Sequence, residues 1–341
     1  MDNLGKITIK TIAEALNLSL TTVSRVLNGT SEKYRIANTT QEIVLQKSKE
    51  LGYIPNMAAK TLRNSRSKTI GLLLPSLDNP FFSQIASTVT KTLYAKGYVV
   101  LISDCNNNPK DEVKYLKSLI GQNLEGLLII PCGDKSNFSA LSKLNMPIVF
   151  IDRMISGMKY LNVRTNHYKT TYKLMNYLYT RGHRKIACIQ GDPQVSSNAS
   201  RVAGYEKFIK DYNLAFSYIG GKEFTSENGY ISTRELISSS ATPTAIISFS
   251  DTILLGVLQA LKENNWKVPT QVSVVSIDNS PYLDFLEVPI TSIAQPIQTI
   301  AEHSSSAILD MINNKNSKYS STPILLDADF VERKSVRTIN E

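Results

Sequence analysis

The amino-acid sequence predicts an α/β protein: a small all-helical head at the N-terminal end, followed by a larger body with parallel β-sheets. Over residues 69–341, continuous apolar runs of strand length alternate with amphipathic helical stretches, as in parallel sheets covered by helices on both faces. The first sixty or so residues instead carry apolar residues at helical spacing. At 341 residues the chain is too long for one ordinary core, so we expect two or three domains.

Composition limits the class of protein. The chain is 42% hydrophobic and 20% charged, and it contains no apolar run long enough to span a membrane or to act as a signal peptide. Its three cysteines stand singly, without the spacing of a disulfide framework or a zinc site. We therefore expect a reduced, cytoplasmic protein that uses no metal or other cofactor and does not span a membrane. The Thr and Asn residues of the head and its lack of a broad aromatic face also argue against binding to a membrane surface.

The positive charge is concentrated at one end of the chain. Residues 1–68 contain eleven Lys and Arg against five Asp and Glu, a net charge of +6. The other 273 residues contain twenty-seven against twenty-four, a net charge of +3. A basic end attracts a polyanion, either nucleic acid or an acidic membrane surface, although a chance excess on a solvated surface gives the same count.

Two short predicted helices with a tight turn between them begin the head. Thr8 can cap the first helix, which extends through Leu16, and Asn17 tolerates the left-handed conformation of the turn. Ser19 can cap the second helix, over residues 20–27. This spacing is typical of a helix-turn-helix, whose second helix fits a major groove, but any small amphipathic helix pair shows it equally.

The outward side chains of the second helix have the chemistry to read DNA. Arg25 can reach guanine acceptors or phosphate, and Leu20 can pack on thymine methyl groups. Thr21 and Thr22 can form hydrogen bonds with bases or with the backbone.

A third helix follows. Asn38 and Gln41 resemble a capping box at its start, and Gly52 suits its C-terminal end. Its predicted apolar face consists of Ile43, Val44 and Leu51.

Pro55 separates this helix from a short segment of small residues that contains one large apolar side chain, Leu62. A lone short helix is unstable in water, so we expect this segment to fold only on DNA, paired with its twin. Leu62 would then act as a wedge in the minor groove.

The body has seven predicted strands and five predicted helices. The strands cover residues 69–74, 98–103, 126–130, 147–151, 185–189, 244–249 and 272–277. The helices cover residues 82–96, 110–122, 168–181, 201–212 and 253–264.

Polar and aromatic residues follow the predicted strands, where ligands of such folds bind. Carboxylates and amides accept hydrogen bonds from hydroxyl groups, and aromatic faces cover the apolar side of a sugar ring. A single Asp in such a place more often caps the next helix, but five of them with two aromatic residues favour a polar-ligand cleft. The set is Asp104, Asp152-Arg153, Asp192, Asp251 and Asp278-Asn279, with Asn79, Phe81 and Phe82 after the first strand.

These segments resemble the LacI/GalR family of transcription regulators over essentially the whole chain. The head motifs are residues 8–13 (TIKTIA), 22–29 (TVSRVLNG) and 52–56 (GYIPN). The body motifs are residues 69–75 (TIGLLLP), 78–82 (DNPFF), 182–186 (GHRKI), 201–205 (RVAGY) and 272–279 (VSVVSIDN).

The resemblance implies a helix-turn-helix head over residues 1–54, a hinge helix and linker over 55–67, and a two-lobed, periplasmic-binding-protein-like body over 68–341. The N-lobe would span about 68–163 plus 296–328 and the C-lobe about 164–293, with the third crossover near residues 292–296. The implied DNA-binding residues are Thr8, Ser19, Leu20, Thr21, Thr22, Ser24, Arg25, Asn28, Tyr53, Asn56, Ala59 and Leu62. The implied effector-binding residues are Asn79, Phe81, Phe82, Asp152, Arg201, Ser250, Asp278 and Gln295.

The resemblance also implies a function. A homodimer, or a higher oligomer, would bind a pseudo-palindromic operator, and a small polar effector, a sugar or sugar derivative, would control its affinity. The sequence departs from the family pattern at Asn17 and Ser276, where Gly is usual, and at Ser250, where many sugar binders have Asn. Residues 30–38 form a segment about three residues longer than usual, which could add backbone contacts or only lengthen a surface loop.

Two rival functions fit the sequence less well. A sugar-processing α/β enzyme would need a catalytic motif, but phosphate-loop, dinucleotide and nucleophile-elbow patterns are absent, and His183 lies in a helix-to-strand turn where a structural role is expected. A free-standing solute receptor would need an export signal and no basic head.

Overall fold

The structure is a computed structural model that describes residues 7–54, 66–239, 242–314 and 321–339. The chain divides into two compact units, Met1–Ser67 and Lys68–Glu341. The first is helical and the second is α/β. None of the helices in the described ranges is both long and apolar enough to cross a lipid bilayer.

The first unit contains helices α1 (Ile9–Leu16), α2 (Leu20–Leu27) and α3 (Asn38–Glu50). The first two confirm the predicted caps and turn. The Thr8 hydroxyl accepts a hydrogen bond from the Thr11 amide at 3.3 Å, and the Ser19 hydroxyl accepts one from the Thr22 amide at 3.0 Å. Asn17 has the left-handed conformation, with φ at 49°. Ile12, Val23 and Val44 meet in the core of this unit, one from each helix.

The start of α3 corrects the sequence-based prediction. Asn38 is already helical, so Ala37 occupies the cap position and no capping box forms. Instead, Gln41 Nε2 donates a hydrogen bond to the Ile36 carbonyl oxygen at 2.8 Å. Ile43 is 52% exposed and does not belong to the apolar face, because its neighbour Val44 points into the core and successive helical residues are about 100° apart.

Two six-stranded sheets form the second unit. Their strand orders are β11-β5-β4-β3-β1-β2 and β12-β10-β9-β8-β6-β7, and all pairs are parallel except β10 with β12. The strands are β1 (Thr69–Leu74), β2 (Val99–Asp104), β3 (Gly126–Ile129), β4 (Ile148–Ile151), β5 (Leu161–Thr165), β6 (Ile186–Ile189), β7 (Tyr218–Gly220), β8 (Ala245–Ser248), β9 (Ser273–Ile277), β10 (Thr291–Ala294), β11 (Ile324–Leu326) and β12 (Asp329–Val331). The helices are α4 (Pro80–Tyr94), α5 (Pro109–Ile120), α6 (His167–Thr180), α7 (Ser196–Asp211), α8 (Ser226–Ser238), α9 (Asp251–Glu263) and α10 (Ile297–Asn313).

All seven predicted strands form, each within about one residue of its predicted ends. Five strands, β5, β7, β10, β11 and β12, were not among them. Helix α7 begins at Ser196, five residues before the predicted start, and α8 had no predicted counterpart.

The chain passes between the two sheets after β5, after β10 and between β11 and β12. The crossing at residues 292–296 is therefore the second, not the third as expected from the resemblance. The third follows Leu326, because the final strand returns to the second sheet and pairs antiparallel with β10, with Val331 opposite Ser292.

Candidate DNA-reading surface and effector cleft

On the first unit, helix α2 presents an exposed face. Leu20 is 52% exposed, Thr21 is also exposed, and Arg25 is half-buried at the last turn. The Arg25 guanidinium lies 3.7 Å from the centre of the Tyr34 ring. Helix α2 therefore presents polar and apolar side chains on one face, and a helix of this size fits a major groove.

Other predicted DNA-binding residues have local partners. Thr8 and Ser19 use their hydroxyls as helix caps, and Thr22 Oγ1 lies 2.8 Å from Ser19 Oγ. Asn28 Nδ2 donates a hydrogen bond to Ser24 Oγ at 3.3 Å. Tyr53 packs against the core of the unit. Three further predicted residues, Asn56, Ala59 and Leu62, lie outside the described residues.

In the second unit, a narrow cleft lies between the two lobes. All eight residues predicted to bind an effector line it: Asn79, Phe81, Phe82, Asp152, Arg201, Ser250, Asp278 and Gln295. Three further residues complete the lining: Arg153, Ser197 and Phe224.

The carboxyl ends of five strands bring these residues together. Asn79 follows β1 and caps α4, accepting a hydrogen bond from the Phe81 amide at 2.9 Å. Ser250 follows β8 and caps α9, accepting one from the Ile253 amide at 3.1 Å. Asp152, Asp278 and Gln295 follow β4, β9 and β10, while α7 contributes Ser197 and Arg201. A ligand here would touch both lobes.

Asp152 is a buried carboxylate held by a histidine. Its Oδ1 lies 2.9 Å from His167 Nε2, and its backbone is left-handed, with φ at 58°. Burial opposes ionisation of Asp152, but His167, Arg201 and Arg153 outweigh it and lower its pKa. Burial and the nearby Arg201 also lower the pKa of His167, so we expect a neutral ring that donates from Nε2 to the carboxylate.

Asp278 belongs to a hydrogen-bonded chain that crosses the cleft. Its Oδ1 accepts a hydrogen bond from Gln295 Nε2 at 2.5 Å, and Gln295 Oε1 accepts one from Thr165 Oγ1 at 2.7 Å. Burial, together with the neighbouring Asp251, raises the pKa of Asp278 to about 7. Its backbone is also left-handed, with φ at 77°, so its position depends on the surrounding structure.

Two buried arginines supply donors to the cleft. Arg153 Nη1 donates to the Pro131 carbonyl oxygen at 3.1 Å, and Arg201 Nη1 donates to the Phe249 carbonyl oxygen. Arg153 also lies 5.0 Å from the ring centre of Phe82. Since a guanidinium has five N–H groups, each arginine retains donors for the oxygen atoms of a ligand.

Three of the five strand-end aspartates do not line the cleft, which corrects the sequence-based prediction. Asp104 accepts hydrogen bonds from the Leu77 and Asn106 amides, at 2.9 and 2.8 Å, and so fixes a loop. Asp251 opens helix α9 and accepts a hydrogen bond from the Ser280 hydroxyl. Asp192 lines an adjoining cavity that shares Arg153 with the cleft.

His183 has a structural environment, as predicted. It is fully buried, with Nδ1 2.9 Å from Thr244 Oγ1 and Nε2 3.1 Å from the Arg337 carbonyl oxygen. These contacts tie β6 to β8 and to the C-terminal segment. Within the described ranges, no group of three or more His, Cys, Asp or Glu side chains could hold a metal ion.

The raised pKa of Asp278 predicts a pH dependence of stability. Between about pH 4 and pH 7 the folded chain keeps the proton on the Asp278 carboxyl group, whereas the unfolded chain has lost it. The stabilisation that this proton gives the folded state is therefore complete below about pH 4 and is lost as the pH rises to about 7. The free energy of unfolding of the wild type, minus that of Asp278→Asn, should fall between these values by up to about 1.4 kcal/mol per pH unit. Urea unfolding of both proteins at several pH values measures this difference, and a constant difference would contradict the assignment.

Comparisons with known proteins show to which family this architecture belongs. Residues 8–56 match the sequence profile of bacterial regulatory proteins of the lacI family, and residues 175–336 match that of a periplasmic binding protein-like domain. The repressor PurR of Salmonella newport (strain SL254) is 32% identical over 335 residues, 96% of each chain. The chain belongs to the LacI/GalR family. The repressor CytR of Escherichia coli (strain K12) is 28% identical over 335 residues, 97% of each chain.

The fold of this LacI/GalR protein also agrees with a solved relative. The lac repressor dimer bound to operator and the anti-inducer ONPF superimposes with a TM-score of 0.87 at 25% identity, covering 98% of this chain and all of the other. The protein is therefore a DNA-binding transcriptional repressor of a family that binds operator DNA and small-molecule effectors and acts as dimers. The prediction that it is not an enzyme agrees with its relatives, which are repressors.

Proposed function

We propose that a sugar or sugar derivative, bound in the cleft between the lobes, controls the affinity of this repressor for its operator. The main support is the chemistry of the lining: carboxylates and an amide accept from hydroxyl groups, two guanidiniums donate, and aromatic rings can cover an apolar ring face. Phe81 and Phe82 meet edge to face at 5.3 Å between centroids.

Contacts between the lobes at the cleft provide a route for control. The Met154 amide on the first lobe donates to Ser196 Oγ on the second at 2.8 Å, and Asn79 Nδ2 lies 3.5 Å from Thr252 Oγ1. A ligand that binds both lobes would favour their closed arrangement and shift the first lobe against its twin. Operator affinity and effector affinity are then linked reciprocally.

A thermal-shift screen of the full chain with sugars, sugar phosphates and purines tests the ligand class. We expect sugars or sugar phosphates to raise the unfolding temperature and to change operator affinity. A shift with purines alone would overturn the sugar assignment while leaving the cleft as the effector site.

We also propose that α2 reads the major groove, and that the hinge over residues 55–67 joins the head to the body, with Leu62 as the wedge. Two heads would then bind a pseudo-palindromic operator. The support for α2 is its exposed Leu20 and Thr21 and its half-buried Arg25. Residues 1–68, which include α2, also carry a net charge of +6 out of the +9 of the whole chain.

Arg25→Ala is expected to lose about 1–3 kcal/mol of discrimination at one base position, because a guanidinium reads guanine through two parallel hydrogen bonds. Binding to an operator and its single-base variants measures this loss. Lys47→Ala is a matched control, since Lys47 lies on α3 and pairs with Glu50 at 2.7 Å. An equal loss of affinity for all operator variants would mean that Arg25 contacts a phosphate rather than a base.

A further inference from the structure

The longer segment between α2 and α3 is folded against the end of the DNA-reading helix. The Thr30 amide and hydroxyl both donate to the Arg25 carbonyl oxygen, each at 3.0 Å. The amides of Tyr34 and Ile36 both donate to the carbonyl oxygen of Ser31, at 3.1 and 3.0 Å. Ser31 itself is buried, although the next four residues of the loop are exposed. The inserted residues therefore have a defined conformation.

The loop is also attached at its far end. Ile36 packs against the core of the unit, and its carbonyl oxygen accepts the hydrogen bond from Gln41 Nε2 on α3. A short 3-10 turn, Glu32–Tyr34, lies between the two attachments. This arrangement fixes where the side chains of the turn project.

Tyr34 projects toward α2. Its ring, 44% exposed, lies 3.7 Å from the Arg25 guanidinium carbon, and Lys33 Nζ lies 5.9 Å from the same ring centre. A guanidinium near an aromatic face is attracted by the ring and loses part of its rotational freedom. A stacked guanidinium can still direct its N–H edge toward two acceptors.

We propose that Tyr34 is a positioning residue for base recognition: it holds the Arg25 guanidinium in place for the operator, and the longer loop is part of the DNA interface. This inference rests on the proposed entry of α2 into the major groove. Pre-positioning an arginine reduces the ordering that binding must otherwise impose on it. The exposed basic side chains beside Tyr34, those of Lys33 and Arg35, are then available to phosphates.

The test begins with operators selected by the full-length wild type from a pool of duplexes with a randomised centre. Tyr34→Ala should bind the selected operator about two- to fivefold more weakly, and should relax the preference at the base pair that Arg25→Ala also relaxes. Tyr34→Phe keeps the ring and should retain the wild-type preference. In the Arg25→Ala background, Tyr34→Ala should add no further loss, because the ring acts through Arg25.

Three results would overturn the proposal. Tyr34→Ala could bind as tightly as the wild type or more tightly, which would mean that the ring only holds Arg25 away from DNA. Tyr34→Ala could weaken binding to all sequences equally, or it could still weaken operator binding in the Arg25→Ala background. Ile43→Ala is the matched control, because Ile43 is similarly exposed on α3.

The selection itself separates this inference from the function on which it rests. If the wild type selects no sequence at all, base reading by α2 fails and the role of Tyr34 fails with it. If the wild type selects an operator and Tyr34→Ala behaves as the wild type, only the role of Tyr34 fails. Lys33→Ala combined with Arg35→Ala should reduce the slope of log affinity against log salt by about 1 to 2, and an unchanged slope would remove both from the interface.

Discussion

Replacement of Arg201 by alanine is expected to abolish the response to the effector while operator binding without effector remains. Arg201 lines the cleft and is only 4% exposed. Its positive charge favours the ionised forms of both Asp152 and Asp278 and so acts to lower their pKa values. Its loss would remove donors from the ligand and leave two buried carboxyl groups without that counter-charge. Operator binding titrated with the active compound from the screen measures the response.

The charge loss could also destabilise the body, since breaking a buried charged contact costs about 3–5 kcal/mol. Arg201→Lys is therefore the second variant: it keeps the positive charge but lacks the fork of parallel donors. We expect it to fold and to lose most of the response. Arg234→Ala, on the exposed side of α8, is the matched control. A full response in Arg201→Lys and Arg201→Ala would exclude Arg201 from the effector site.

Topology predicted part of the cleft, and the family resemblance added Arg201, Ser250 and Gln295. The carboxyl ends of parallel strands meet at one edge, so residues far apart in sequence, such as Asp152 and Asp278, line the same cavity. Two other lining residues were missed. Phe224 follows β7, a strand of only three residues, and Ser197 lies in the first turn of α7, before the point where its apolar periodicity begins.

Arg153 shows a different limit. The sequence marks it beside Asp152 at the end of a strand, but not whether its long side chain turns toward solvent or into the cleft. In the structure its guanidinium lies between the first and second lobes, near the rings of Phe82 and Phe224. Only the packing of both lobes decides that direction.

Strands were predictable where the sequence is a continuous apolar run of strand length. Strands such as β1, β3 and β8 are continuous apolar runs, whereas β11 and β12 are three residues long and only partly buried. Helix α8 lacks a local signal because its sequence, SENGYISTRELIS, is rich in residues with weak helix propensity. Its partner α9 stabilises it through packing, which a single segment does not reveal.

That packing makes Gly256 a site where adding a side chain should lower stability. A Cβ atom on Gly256 of α9 would lie 1.8 Å from the Ser226 carbonyl oxygen and 2.5 Å from the Tyr230 amide nitrogen, both on the backbone of α8. On the opposite helix, a Cβ atom on Gly229 would lie 2.1 Å from the Ile253 carbonyl oxygen. Since backbone atoms cannot move aside as a flexible side chain can, Gly256→Ala must separate the two helices.

We expect Gly256→Ala to lower the free energy of unfolding by about 1–3 kcal/mol or more, and Gly256→Val to lower it further. Urea unfolding of the full chain, followed by circular dichroism, measures the change. Gly121→Ala is the matched control, because a Cβ there would approach the Ser118 carbonyl oxygen only to 3.4 Å, and it should change stability by less than about 0.5 kcal/mol. If Gly256→Ala and Gly121→Ala unfold at the same urea concentration, α8 and α9 do not pack through backbone contact, and the weak helix propensity of α8 would need another source of stability.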